Sequence, residues 1–284
     1  MEVTTTTTDD LNGTVVCENE MLVKIPSLER QLSLTLLQEE FEIEPIFSGA
    51  AWAGSVLWHA AQALVENFLL NGGDARIGGA SVLELGCGLG IPGMVAAILG
   101  AREVALTEQP QLVPLLEKNV DRNFPAGAAG AGTRPDALAL SWGTAEAEEF
   151  LAARGGRPFD TILVCDCVFE PLYGDSWKLL CDTLAALCPA PEAAPAAATG
   201  PVAASTDVLI ACERRDEDGI PEFLALLSTN FEVDVAFTNY ADAELLDLLS
   251  RSHVKGNRKP LRVFRATRRP VQCVTPCAGT AAEC

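Results

Sequence analysis

Val82-Leu83-Glu84-Leu85-Gly86-Cys87-Gly88-Leu89-Gly90-Ile91-Pro92-Gly93 is the stretch on which the fold turns. Val82, Leu83 and Leu85 form an apolar run that reads as a buried strand, and the run breaks abruptly into glycines. Pro92 stands where a first-turn helical proline belongs and opens the apolar segment from Met94 to Leu99. Strand, glycine turn and helix together bring bare backbone and a helix N-terminus up against a ligand. A dinucleotide fingerprint G-x-G-x-x-G counted from Gly86 needs glycine or alanine at position 91, where Ile91 stands. That disfavours a nicotinamide dehydrogenase and leaves a G-x-G-x-G spacing behind the acidic Glu84.

Around this stretch the chain alternates between two periodicities. Strands are expected at Ser81–Leu85, Glu103–Thr107, Ala137–Ser141, Thr161–Cys165 and Asp207–Cys212, with helices between them at Pro92–Leu99, Pro110–Asn123, Thr144–Ala153 and Asp175–Leu187. Such alternation implies crossover units and a mostly parallel sheet. Upstream, Val56 to Leu70 carries apolar residues at helical spacing, stopped by Asn71-Gly72-Gly73. Downstream, a helix at Gly219–Asn230 is followed by strand-like Phe231–Phe237 and Leu261–Thr267, with a helical stretch at Ala241–Ser250 between them. No full crossover joins those last two strands, so one of them is expected to run antiparallel.

The rest of the chain sets boundaries. Residues 1–21 are polar and read as a disordered leader, with a strand or hairpin expected between Leu22 and Ile46. A single domain is expected over 22–269, interrupted by flexible Ala/Gly/Pro-rich loops at 125–135 and 189–206, with a loose tail at 270–284. In 284 residues 49% are hydrophobic, enough for a substantial core. A net charge of −19 argues against a nucleic-acid partner. The start carries no secretory signal, and no apolar run reaches a membrane-spanning length, so a soluble cytoplasmic, also nuclear, protein is expected. Ten scattered cysteines, several inside apolar strands, then read as reduced thiols.

Several side chains stand where such a sheet gathers ligands, at the carboxyl ends of its strands. Glu108, 22 residues after Gly86, ends the second strand, where a carboxylate can accept both hydroxyls of an adenosine ribose. Trp142 ends the third strand and can wall an adenine pocket. Asp166 follows Cys165 at the end of the strand beside the glycine turn. His59 and His253 form no cluster with acids or cysteines in the sequence, and Cys273-x-x-x-Cys277 lacks the second pair that a zinc site needs, so no metal is expected. Eight of the 20 basic residues fall between Arg251 and Arg269 and read as a solvated charged hairpin.

Glu84-Leu85-Gly86-Cys87-Gly88-Leu89-Gly90 resembles motif I of class I S-adenosylmethionine-dependent methyltransferases. Trp58, the glycine motif, Glu108, Trp142-Gly143 and Asp166-x-x-Phe169, in that order, resemble methyltransferase family 16, the METTL21-like group, over about residues 32–267. The resemblance implies a Rossmann-like α/β fold: a seven-stranded, mostly parallel sheet with one antiparallel strand and helices on both faces. It implies S-adenosyl-L-methionine as cofactor, with Trp58, Glu84, Gly86, Cys87, Gly88, Glu108, Trp142 and Cys165 lining it. By the same resemblance Asp166 and Phe169 are the catalytic pair, facing the methyl group. The implied partner is a protein substrate, a translation factor or chaperone methylated on lysine by a monomeric enzyme.

Phe169 stands where the family has a tyrosine, and Phe169-Glu170-Pro171 is nearer a relative that acts on arginine. A lysine must arrive as the neutral amine, and an aromatic pocket of Phe169 and Trp177 would favour that form by desolvation, with Asp166 orienting it. Tyr173 is the nearest substitute for the missing hydroxyl. Arginine and small-molecule acceptors remain alternatives, as does a non-catalytic module of the same fold that binds a chaperone or translation factor.

Overall fold

The computed structural model describes residues 1–6, 20–35, 53–54, 56–71, 76–126, 132–190, 205–251 and 256–270. Three strands come first: β1 (Glu2–Thr6), β2 (Glu20–Ile25) and β3 (Arg30–Thr35), an antiparallel sheet in the order β1-β2-β3. The expected hairpin is therefore present, but the expected leader is not wholly structureless. Glu2–Thr6 pairs with Lys24–Glu20, because a run of β-branched residues suits a strand once a neighbour offers a free edge. Residues 7–19, 191–204 and 271–284, and with them most of the leader, the second loop and the tail, lie outside the described residues, as do 127–131 and His253.

The second sheet carries the chain's main architecture. Helix α1 (His59–Leu64), continued by a π-helical turn at Val65–Leu69, precedes β4 (Ser81–Leu85). Then follow α2 (Ile91–Ile98), β5 (Glu103–Glu108), α3 (Val113–Asn123), β6 (Asp136–Ala139), α4 (Thr144–Ala153) and β7 (Thr161–Cys165). After them come α5 (Glu170–Tyr173), α6 (Trp177–Leu187), β8 (Asp207–Glu213), α7 (Ile220–Leu227), β9 (Phe231–Thr238), α8 (Leu245–Ser250) and β10 (Leu261–Arg268). The strand order is β6-β5-β4-β7-β8-β10-β9. β4 to β8 run parallel, and β10 enters antiparallel between β8 and β9. It is the reversed strand expected from the sequence.

The central strands are buried on both sides, so they read as apolar runs and divide their side chains with period two. In β7, Leu163 and Cys165 join the core under α1, α2 and α3, while Ile162 and Val164 join the core under α4, α6 and α7. The small sheet belongs to the first core through Val23, Ile25, Leu32 and Leu34. Two asparagines one turn apart on α3 complete its edge. Asn119 Oδ1 accepts from the Thr35 N–H at 2.7 Å and Asn123 Oδ1 from the Ser33 N–H at 2.8 Å, while their amide nitrogens donate back to the carbonyls of the same two residues.

The basic run near the end of the chain is not a free patch. Arg251 pairs with Asp247, Arg258 with Glu244, Arg262 with Asp242 and Arg265 with Asp207, so the hairpin neutralises acidic neighbours within the same chain.

Candidate active site

The strand order changes direction around β4, whose neighbours β5 and β7 lead to opposite ends of the sheet. A crevice opens outside the carboxyl ends of such strands, and here it is a cavity of about 500 Å³. That lies within the range of small-ligand sites. The turn after β4 forms its base. Gly86 and Gly88 both adopt positive φ, 58° and 52°, the left-handed region that glycine enters without penalty. A Cβ at Gly88 would stand 2.7 Å from the Gly54 carbonyl oxygen, so the turn lies directly against the segment that leads into Trp58.

Two buried carboxyl groups serve this turn differently. Glu84 accepts the Gly93 N–H of α2 at 2.7 Å, and burial pushes its pKa up to about 8. Glu108, at the end of β5, accepts the Gly88 N–H at 2.9 Å through one oxygen and the Gln109 N–H at 2.8 Å through the other. Burial raises its pKa too, against the pull of those two donors. Trp142, Leu140 and Leu112 add flat and apolar wall, and Cys87, Cys165 and Cys167 add thiols that burial keeps protonated. The indole N–H of Trp58 donates to the Ala53 carbonyl at 3.0 Å and fixes that ring against the opening.

Asp166 borders the same cavity from the end of β7, with a positive φ of 56°. Aspartate is one of the few side chains found in that conformation, and the Asp166 N–H is anchored to the Ala211 carbonyl of β8 at 2.8 Å. Its carboxylate is met by Arg215, whose two terminal nitrogens lie 3.1 and 2.5 Å from its two oxygens, and by the Glu213 N–H at 3.2 Å. Burial raises the Asp166 pKa, against the opposing pull of the guanidinium that grips both its oxygens. Buried Asp218 fixes the loop that carries Arg215 by accepting from the Arg214 side chain and from the N–H groups of Arg215 and Ile220.

Of the expected site residues, Trp58, Glu84, Gly86, Cys87, Gly88, Glu108, Trp142, Cys165 and Asp166 all line this one cavity. The exceptions concern the aromatic pocket. Phe169 is not among the residues that line the cavity, and its ring centroid lies 4.9 Å from the Arg215 guanidinium carbon. Trp177 sits in the core under α6 and α7. Leu172 and Tyr173, three and four residues on, take the wall positions instead, because α5 carries the chain through one turn past Phe169. His59, which the sequence left without an acidic neighbour, meets Glu213 at 3.0 Å from 154 residues away. Glu213 and Arg215 were missed outright; their signal was the charged Glu213-Arg214-Arg215 at the carboxyl end of a crossover strand.

A family model described as lysine methyltransferase matches residues 47–230, which hold every element of this cavity. Secreted RxLR effector protein 48 of Plasmopara viticola is 42% identical over 145 residues, 49% of this chain and 66% of its own. EEF1A lysine methyltransferase 3 of Mus musculus is 30% identical over 199 residues, 69% of this chain and 72% of its own. Among solved structures, the 16S rRNA N2 G1207 methyltransferase of T. thermophilus, in complex with AdoMet and guanosine, aligns with a TM-score of 0.51 at 17% identity. It covers 88% of this chain and 50% of its own, a likeness of fold. The chain belongs to the lysine methyltransferase family, S-adenosylmethionine-dependent enzymes that transfer a methyl group to lysine side chains of proteins.

Proposed function

We propose that the cavity at the ends of β4, β5 and β7 holds S-adenosylmethionine, with Asp166 facing the acceptor lysine of a protein substrate. What carries the reading is the convergence of the Gly86–Gly88 turn, Glu108 and Asp166 on one cavity from three adjacent strand ends. The donor set fits the cofactor. Glu108 spends its two oxygens on one backbone N–H each, so both keep a lone pair for a ribose diol. Trp142 gives an adenine ring a face to lie against, and the glycine turn brings backbone close without side chains in the way.

The bound cofactor supplies a methyl group on a sulfonium, already a good leaving group. The chain's own work is then alignment and exclusion of water. Trp58, Leu172 and Tyr173 make the wall next to Asp166 partly apolar, and desolvation there favours the neutral amine over the ammonium, whose free pKa is about 10.4. Asp166 accepts a hydrogen bond from that amine and points its lone pair along the transfer line. Phe169 takes no part at the cavity surface in this reading.

The acceptor class follows from charge and kinship. A chain of net charge −19 favours a basic segment of its partner, and one relative is by name a methyltransferase of EEF1A, which makes a translation factor the first protein to offer it. Six described cysteines are buried and unpaired, in keeping with work in a reducing cytoplasm. One chain lines the whole cavity, so a monomer suffices. Calorimetric titration of S-adenosylhomocysteine tests the donor half. Glu108→Ala is expected to bind about 30- to 150-fold more weakly than the unaltered chain, the equivalent of about 2–3 kcal/mol. Equal affinities would refute the ribose role.

A further inference from the structure

Arg215 holds the carboxylate that the acceptor amine of the preceding reading has to meet. Its guanidinium grips both oxygens of Asp166 at 3.1 and 2.5 Å, 4.9 Å from the centroid of the Phe169 ring and 5.3 Å from that of Trp58. A carboxylate flanked by two aromatic faces is a recognition site for an organic cation, and here a side chain of the same protein fills it. Asp166 and Trp58 border the cavity, and Arg215 stands directly behind them. A second carboxylate waits beside it: Glu213 Oε2 is 3.3 Å from the same guanidinium nitrogen and also holds His59 at 3.0 Å, while Glu213 Oε1 is 3.6 Å from Lys259. His59 is 54% exposed and Arg215 only 16%, so the cluster runs from buried Asp166 out to solvent.

We propose that Arg215 is a built-in competitor for the acceptor carboxylate, and that the substrate lysine enters by displacing its guanidinium from Asp166 onto Glu213. The inference rests on the reading that Asp166 faces the acceptor. The exchange conserves charge. The lysine enters as the ammonium, so one cation leaves Asp166 as another arrives, and it becomes the neutral amine only when it then gives a proton to solvent ahead of the transfer. Glu213, already within reach, takes up the guanidinium without that charge leaving the cluster. The apparent affinity for any acceptor cation is then reduced by the fraction of time Arg215 spends at Asp166. Arg215 thereby sets a threshold that only a substrate with further contacts to the protein can pass.

The probe is n-butylammonium, the head of a lysine side chain, titrated at constant ionic strength into protein saturated with S-adenosylhomocysteine. Binding is read by tryptophan fluorescence and calorimetry. Arg215→Gln, which keeps a hydrogen bond to Asp166 without the charge, is expected to bind it about tenfold more tightly than the unaltered chain. Guanidinium should compete the probe off that variant, and Asp166→Asn should abolish binding. Equal affinity in Arg215→Gln and the unaltered chain, with binding still lost in Asp166→Asn, overturns the displacement and leaves the acceptor reading standing. Binding indifferent to Asp166→Asn, or absent from every variant, overturns both. Should Arg215→Gln fail to fold, Glu213→Gln serves instead. It removes the receiving carboxylate and is expected to weaken the probe severalfold, and an unchanged affinity overturns the proposal.

Discussion

The half of the cavity proposed to hold the methyl donor and the half proposed to face the acceptor are built from different materials. Around the glycine turn, the carboxyl groups of Glu84 and Glu108 meet backbone N–H groups at 2.7–2.9 Å, all within the span from residue 84 to 109. Around Asp166, the carboxylates meet the side chains of Arg215, Lys259 and His59. The first arrangement is fixed by turn geometry and works wherever the turn folds. The second holds only because strand ends distant in sequence are brought together. Backbone donors cannot move or change charge, which suits a cofactor that is always the same. Side-chain cations can be exchanged, which suits a site that must admit and release a charged substrate.

The largest expected effect breaks the acceptor half. Asp166→Ala should lower turnover on a protein substrate at least about a hundredfold while leaving S-adenosylhomocysteine affinity nearly unchanged, and it leaves Arg215 with Glu213 as its remaining carboxylate, at a cost of about 2 kcal/mol. Asp166→Asn should recover much of the stability and none of the turnover. Denaturant unfolding beside a methylation assay reads both, and near-normal turnover in either variant would remove Asp166 from the chemistry.

The donor half makes the opposite kind of prediction, a change in pH dependence. The Glu84 pKa is about 8 in the folded chain against an ordinary 4.5, so as pH rises the unfolded chain gives up this proton first. The folded state binds more protons in that window, and stability falls from about pH 4.5 to about pH 8, by about 3 kcal/mol at pH 7. Glu84→Gln keeps an oxygen for the Gly93 N–H and removes the titration. It should flatten the fall and raise the melting temperature at pH 8. An unaltered slope would show that another group carries it.

The smallest effect concerns how both halves are framed. Asn119→Ala removes the side chain that completes β3, taking a partner from both the N–H and the carbonyl of Thr35. The expected loss is about 2 kcal/mol in urea unfolding, with little change in cofactor affinity. A large loss of cofactor binding would show that the small sheet is part of the site's frame.

Comparing these regions also separates what could be read in advance. The glycine turn, Glu108, Trp142 and Asp166 were legible because each follows an apolar strand at a spacing that puts it on the same edge of a parallel sheet. Phe169 and Trp177 were misjudged because one turn of α5 decides which of Phe169, Leu172 and Tyr173 faces the cavity, and periodicity does not resolve a four-residue helix. The antiparallel entry of the last strand was anticipated. The pairing of β1 was not, because β-branched residues declare no partner until a free edge is beside them.

The sequence by itself determined the layered α/β fold, the switch point beside β4 and the cofactor class, since those rest on local patterns: apolar runs, a glycine turn, carboxylates at the ends of β5 and β7. Tertiary structure alone decided that Arg215 sits on Asp166, that Glu213 gathers His59 and Lys259, and that Phe169 serves the guanidinium instead of the cavity. Charges find one another through space, and the strength of that attraction depends on distance and burial, which residue order does not record.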